Sequence, residues 1–147
     1  MEPGKIFEAS RTLFLALAGL FFVFLIIFLL SEGLVQGVFS GLLMLSAMAI
    51  SAAVGYTANS RLDSGFIKCA IYGTISMLLS LALIMIGGFV KAYLSGMLNP
   101  DFGPKFVVAL AVALIFGAAC GIAGWFGANM VRSVRKMAKE RQTTKQK

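Results

Sequence analysis

Few side chains in this sequence have types and spacing that could do chemistry, and most of them lie in apolar surroundings. Ser40, Ser46, Ser51, Thr74, Ser76 and Ser80 place hydroxyls inside long uncharged stretches. Repeated around several copies, such hydroxyls can line a weakly polar path for an ion or small solute. Singly, each bonds a backbone carbonyl one helical turn back. Met44 and Met48 stand four apart, on one face of a helix, and thioethers are soft ligands suited to Cu(I). Met77 and Met85 add sulfurs, but methionine is also a common filler of irregular packing. Cys69 and Cys120 fall in different stretches at different expected depths, which predicts buried free thiols rather than a disulfide. There is no histidine, which removes the commonest general base, the usual zinc and haem ligand and the ordinary pH switch.

Two further clusters come from polar and aromatic residues. Trp125, Phe126, Asn129 and Arg132 form a possible niche for a lipid or quinone headgroup, although interfacial anchoring is the commoner use of such residues. Asn99, Asp101 and Lys105 lack an activated nucleophile or a suitable base, and Glu32 stands alone at a turn. The Met44–Met48 pair together with Gly117–Gly121 resembles the MxxxM and GxxxG combination of copper uptake channels. Four apolar stretches and the absence of histidine depart from that pattern. These residues predict no catalysis and no bound cofactor or metal.

The elements that must position these groups follow from charge spacing. Only 13% of the 147 residues are charged and 59% are hydrophobic, with a mean hydropathy of +0.91. A soluble domain carries about a quarter charged residues. The charges leave four uncharged runs, 12–31, 33–60, 69–90 and 106–131, which hold 96 residues. A bilayer core of about 30 Å takes roughly 20 apolar helical residues. The expected fold is all-α and polytopic, with four transmembrane helices in two hairpins over about 12–31, 34–58, 67–90 and 105–131. Residues 1–131 form the membrane domain and 132–147 a basic cytoplasmic tail. The first run is longer than the core of a signal peptide and follows acidic Glu2 and Glu8, so it reads as a retained helix. With the N-terminus inside, 11 basic residues face the cytoplasm and only Lys91 and Lys105 face out, which predicts N-in, C-in topology. The net charge of +7 is thus mostly an orientation signal, not a nucleic-acid footprint. No ionisable residue lies in the middle of a run, which argues against proton or sodium coupling by this chain alone.

Small residues mark the expected helix contacts. Gly33, Gly37 and Gly41 repeat every four residues, followed by Ala47, Ser51 and Gly55. Gly73, Ser76, Ser80 and Gly87 share a face of the third helix, and Ala113, Gly117, Gly121 and Gly124 mark the fourth. Such seams allow backbones to approach closely, gaining dispersion that lipid does not supply. The first helix is rich in Phe and Leu and is expected to look outward. Residues 49–59 and 119–129 share Ala, Ala, Ala and Asn at aligned positions, a weak internal repeat. Arg132, Arg135, Lys136 and Lys139 gather on one helical face, suited to anionic lipid headgroups or an acidic partner.

Together these features suggest an accessory or structural subunit of a larger integral membrane complex, of an electron-transfer or ion-translocating kind, in a prokaryotic plasma membrane. Its partners would be other membrane subunits. One alternative is a homo-oligomeric channel or a small-solute or metal carrier lined by the Ser/Thr or Met faces. Another is an adaptor that recruits a cytoplasmic partner through its basic tail.

Overall fold

The computed structural model describes the backbone of residues 3–95 and 102–144, and side chains over 15–95 and 107–138. Four helices account for nearly all of it: α1 (Pro3–Leu30), α2 (Gly33–Leu62), α3 (Phe66–Leu94) and α4 (Phe102–Thr144), with no strand among the described residues. Three of them are long and apolar enough to cross a membrane, over Gly33–Leu62, Phe66–Leu94 and Val107–Ala138. The described apolar part of α1, Leu15–Leu30, is shorter than a full span, and residues 12–14 of the expected first span lie outside the described side chains. The expected loop residues Asn99 and Asp101, and the side chains of Lys105 and Lys139, also lie outside the described set.

Each link has a local cause. Ser31 and Glu32 join α1 to α2, and Gly33 enters α2 at φ +61°, a backbone conformation that glycine adopts without steric cost. At the other end of α2, Asp63 is left-handed at φ 48°, a position that Asp tolerates better than most residues. The N–H groups of Asp63 and Ser64 both return to the Ala58 carbonyl, which closes the helix over a short link to α3. The contacts set direction: Gly55 meets Gly121 and Asn59 meets Asn129, so α2 and α4 run parallel, while Gly73 meets Gly117 and α3 runs against them.

The centre is a triple of α2, α3 and α4. α1 lies along α2, touches α3, and does not bring its backbone near that of α4 among the described residues. One core joins the helices: Phe21, Leu43, Ala47, Ile50, Met77 and Ala113 are all buried. Phe21 qualifies the outward reading of α1, because its ring enters this core while Phe22 next to it stays half-exposed. Phe24 meets Phe39 of α2 edge-on at 6.0 Å. Met44 and Met48 pack against the same core, beside Met77.

Candidate functional site

The most specific arrangement in the molecule is a glycine junction closed at one end by polar side chains. α4 supplies three of its glycines. A Cβ at Gly121 would run into the Cys69 carbonyl oxygen, and one at Gly124 into the Ala52 carbonyl oxygen. A Cβ at Gly117 would lie 2.8 Å from both the Met77 Cβ and the Thr74 Cα. α2 and α3 answer in kind: a Cβ at Gly55 would strike the Gly121 carbonyl, and one at Gly73 would come within 2.5 Å of the Gly117 oxygen. Three backbones therefore approach one another around Gly121 with no side chain between them, the arrangement that small residues permit in an apolar medium. Ala113, Ser80 and Ser51 are buried alongside, and a Cβ at Gly87 would lie 3.4 Å from the side chains of Leu25 and Leu29 of α1.

At the Asn59 end, polar groups finish the junction. Asn59 is 2% exposed, and its Nδ2 donates to the Trp125 carbonyl at 3.0 Å and to Asn129 Oδ1 at 3.1 Å. The two asparagines hold aligned places in the weak internal repeat, so the likeness between the ends of α2 and α4 marks two parallel helices in register. A paired amide at one level between parallel helices resists sliding, as a buried Asn does in a coiled coil. Arg132 continues the closure. Its guanidinium donates to the Asn59 carbonyl and pairs with Asp63 at 2.7 Å. Arg135 and Lys136 lie farther along α4 and are exposed.

A second polar contact lies at the opposite end. Lys91 Nζ donates to the carbonyls of Phe28, at 3.3 Å, and Ser31. It thereby supplies a donor to the Ser31 carbonyl and a second one to the Phe28 carbonyl, which also accepts from Ser31 Oγ at 3.3 Å, and places a cation at the negative pole of the helix. The sequence placed Lys91 only among the bases that face out; its role as a cap for another helix depends on distance across the bundle.

The hydroxyls are mostly spent within their own helices. Ser46 donates to Leu43 O at 2.8 Å, Thr57 to Ala53 O at 2.7 Å, Thr74 to Ala70 O at 2.9 Å and Ser80 to Ser76 O at 3.0 Å. Ser51 differs. Its Oγ is fully buried and has no hydrogen-bond partner. Cys69 and Cys120 are free thiols, and Cys69 Sγ donates to Ser64 O at 3.5 Å. No group of three or more His, Cys, Asp or Glu comes together among the described residues.

Among the described residues, Gly33, Gly37 and Gly41 seat no helix. A Cβ at any of them meets nothing within 4 Å. The seam expected along α2 is thus filled only in its Asn59-side half, because Gly121 and Gly124 of α4 meet α2 there, whereas α1 engages other residues of the Gly33-side half, Phe39 and Leu43.

No protein-family model, curated protein or solved structure matches the chain. Its functional reading therefore rests on its own geometry.

Proposed function

We propose that this chain is a small accessory subunit of a larger integral membrane complex of an electron-transfer or ion-translocating kind, in which partner subunits carry the chemistry. In this reading all four helices span a prokaryotic plasma membrane in two hairpins, with both ends of the chain in the cytoplasm. The observation that carries it is the contrast along α2. The Gly55 half of its small-residue seam is filled by α4, whereas Gly33, Gly37 and Gly41 offer the same close-approach surface with no described residue on it. A transmembrane helix of another subunit is the natural occupant, since small residues favour backbone contact over lipid. The hydroxyls of Ser46, Thr74 and Ser80 bond their own helices, which leaves less polarity for the alternative of a conducting path.

The test is extraction in mild detergent followed by native mass measurement. A stoichiometric assembly containing other membrane proteins is expected. A homogeneous self-oligomer that conducts ions or solutes in liposomes would overturn the reading in favour of a channel.

The adaptor reading has its own supporting observation. α4 runs 12 residues past Arg132, about 18 Å, with Val134, Arg135, Lys136 and Met137 exposed. Deleting residues 135–147 is expected to abolish recruitment of a cytoplasmic partner while membrane insertion persists, if the tail acts this way. Recruitment that survives the deletion removes the adaptor role.

A further inference from the structure

A shallow groove of about 330 Å³ runs along the outside of α3 where α4 crosses it. Its α3 side extends from Phe66 to Ile75, and Ala118 lines it from α4. The close helix contact at Gly117 and Gly121 and the small side chains of Ala70 and Ala118 keep it low between bulkier neighbours. Ile67, Ile71 and Ile75, four residues apart, are all more than half exposed along it. Its one hydroxyl, on Thr74, is already bonded to the Ala70 carbonyl, so the lining offers no unmet polar group. From residue 66 to residue 75 the helix rises about 14 Å, close to half of the roughly 30 Å hydrocarbon core. The groove therefore matches one acyl chain in one leaflet.

The charge at its end identifies the occupant further. The groove begins at the first turn of α3, where Gly65 supplies no side chain to cap the helix and no acidic residue is present. The first N–H groups of a helix have no acceptor within it, and this pole favours anions. Lys68 lies in the same turn and is exposed. The neighbouring carboxylate, Asp63, forms its ion pair with Arg132.

We propose that the α3–α4 groove is a binding site for an anionic phospholipid, with one acyl chain along Ile67–Ile75 and the phosphate headgroup at Lys68 and the start of α3. The site lies apart from the glycine seam of α2 and holds whether or not the chain serves as a subunit.

The protein contains its own reporter. Trp125 is the only tryptophan, and its ring packs edge-on against Phe66 at the mouth of the groove, with centroids 5.6 Å apart. The full chain is reconstituted in phosphatidylcholine vesicles carrying increasing fractions of phosphatidylglycerol brominated near the carbonyl end of its chains. The same titration is run with equally brominated phosphatidylcholine. Anionic lipid is expected to quench Trp125 at about fivefold lower mole fraction, the factor set by one well-placed base. Lys68→Gln is expected to remove this preference, and Arg135→Gln to leave it unchanged, because Arg135 lies ten residues, about 15 Å, along α4 from Trp125 and a headgroup held there is out of the reporter's range. Ala118→Leu, which fills the groove with helicity monitored in parallel, is expected to weaken quenching by both lipids. Equal quenching by the two lipids in the unmodified protein would overturn the proposal. So would a preference that survives Lys68→Gln, or one lost equally with Arg135→Gln, which would mark a general surface charge effect. Undiminished quenching in a folded Ala118→Leu protein would overturn the placement of the acyl chain.

Discussion

At the scale of single residues, two sets of glycines with the same spacing behave in opposite ways. Gly121 faces the Cys69 carbonyl with no room for a methyl, whereas Gly37 faces open space. Gly121→Ala must push α3 and α4 apart, and overpacking of this kind costs about 1–3 kcal/mol. Gly37→Ala adds no clash and removes glycine's helix penalty, a gain of up to about 1 kcal/mol. Thermal unfolding followed by circular dichroism in one detergent is expected to show a lower midpoint for the first variant and an equal or higher one for the second. Phe22→Leu, on the half-exposed face of α1, is expected to stay near the parent value, and equal losses at all three positions would remove the junction as a packing determinant. Ser51 makes a separate case. Its buried hydroxyl has no partner, and an unmet polar group costs about 1–3 kcal/mol. Ser51→Ala is therefore expected to raise the midpoint, and a clear decrease would mean that the hydroxyl is satisfied in the membrane. These glycines and serines could all be read in the sequence as small positions on helix faces. Which of them had neighbours could not, because periodicity names a face and not what covers it.

At the scale of elements, α1 and α4 differ in how they are held. α4 is locked by close backbone contact and by the Asn59–Asn129 pair, both continuous with its length and spacing. α1 has no glycine junction with its neighbours; it is held by Phe21 in the core, by Leu25 and Leu29 on Gly87, and by the Lys91 cap at its end. Replacing Lys91 with Leu leaves the Ser31 carbonyl without its donor and the Phe28 carbonyl with only the Ser31 hydroxyl, and it removes a cation from the negative end of α1. Backbone amides of residues 27–31 are expected to exchange with deuterium several-fold faster in Lys91→Leu, with the Gly117–Gly124 region unchanged. Unaltered exchange near Ser31 would show that the leucine contacts alone hold α1. The alternation of helix lengths and charges was legible in advance, as was the continuation of a helix through Arg132. The cap was not, since it joins residues 60 or more positions apart.

At the scale of the whole molecule, three apolar helices packed backbone to backbone leave one small-residue surface of α2 uncovered among the described residues. If a partner helix fills it, Gly37→Leu is expected to release the chain from its native assembly in mild detergent, with the helical content of the isolated chain intact. Retention of the assembly at full stoichiometry would move the contact elsewhere. The sequence by itself determined that the chain is helical with long apolar stretches suited to a membrane, and where its small-residue faces lie, because hydropathy, charge spacing and helical periodicity are local properties of the chain. Tertiary structure decided which glycines meet a backbone, that the aligned asparagines of α2 and α4 bond each other, that Phe21 turns inward, and that Lys91 caps another helix. It also created the groove beside Ala70 and Ala118. Each of these depends on how near two separate helices come, and that distance is set by side-chain volumes across the contact rather than by the pattern along either helix.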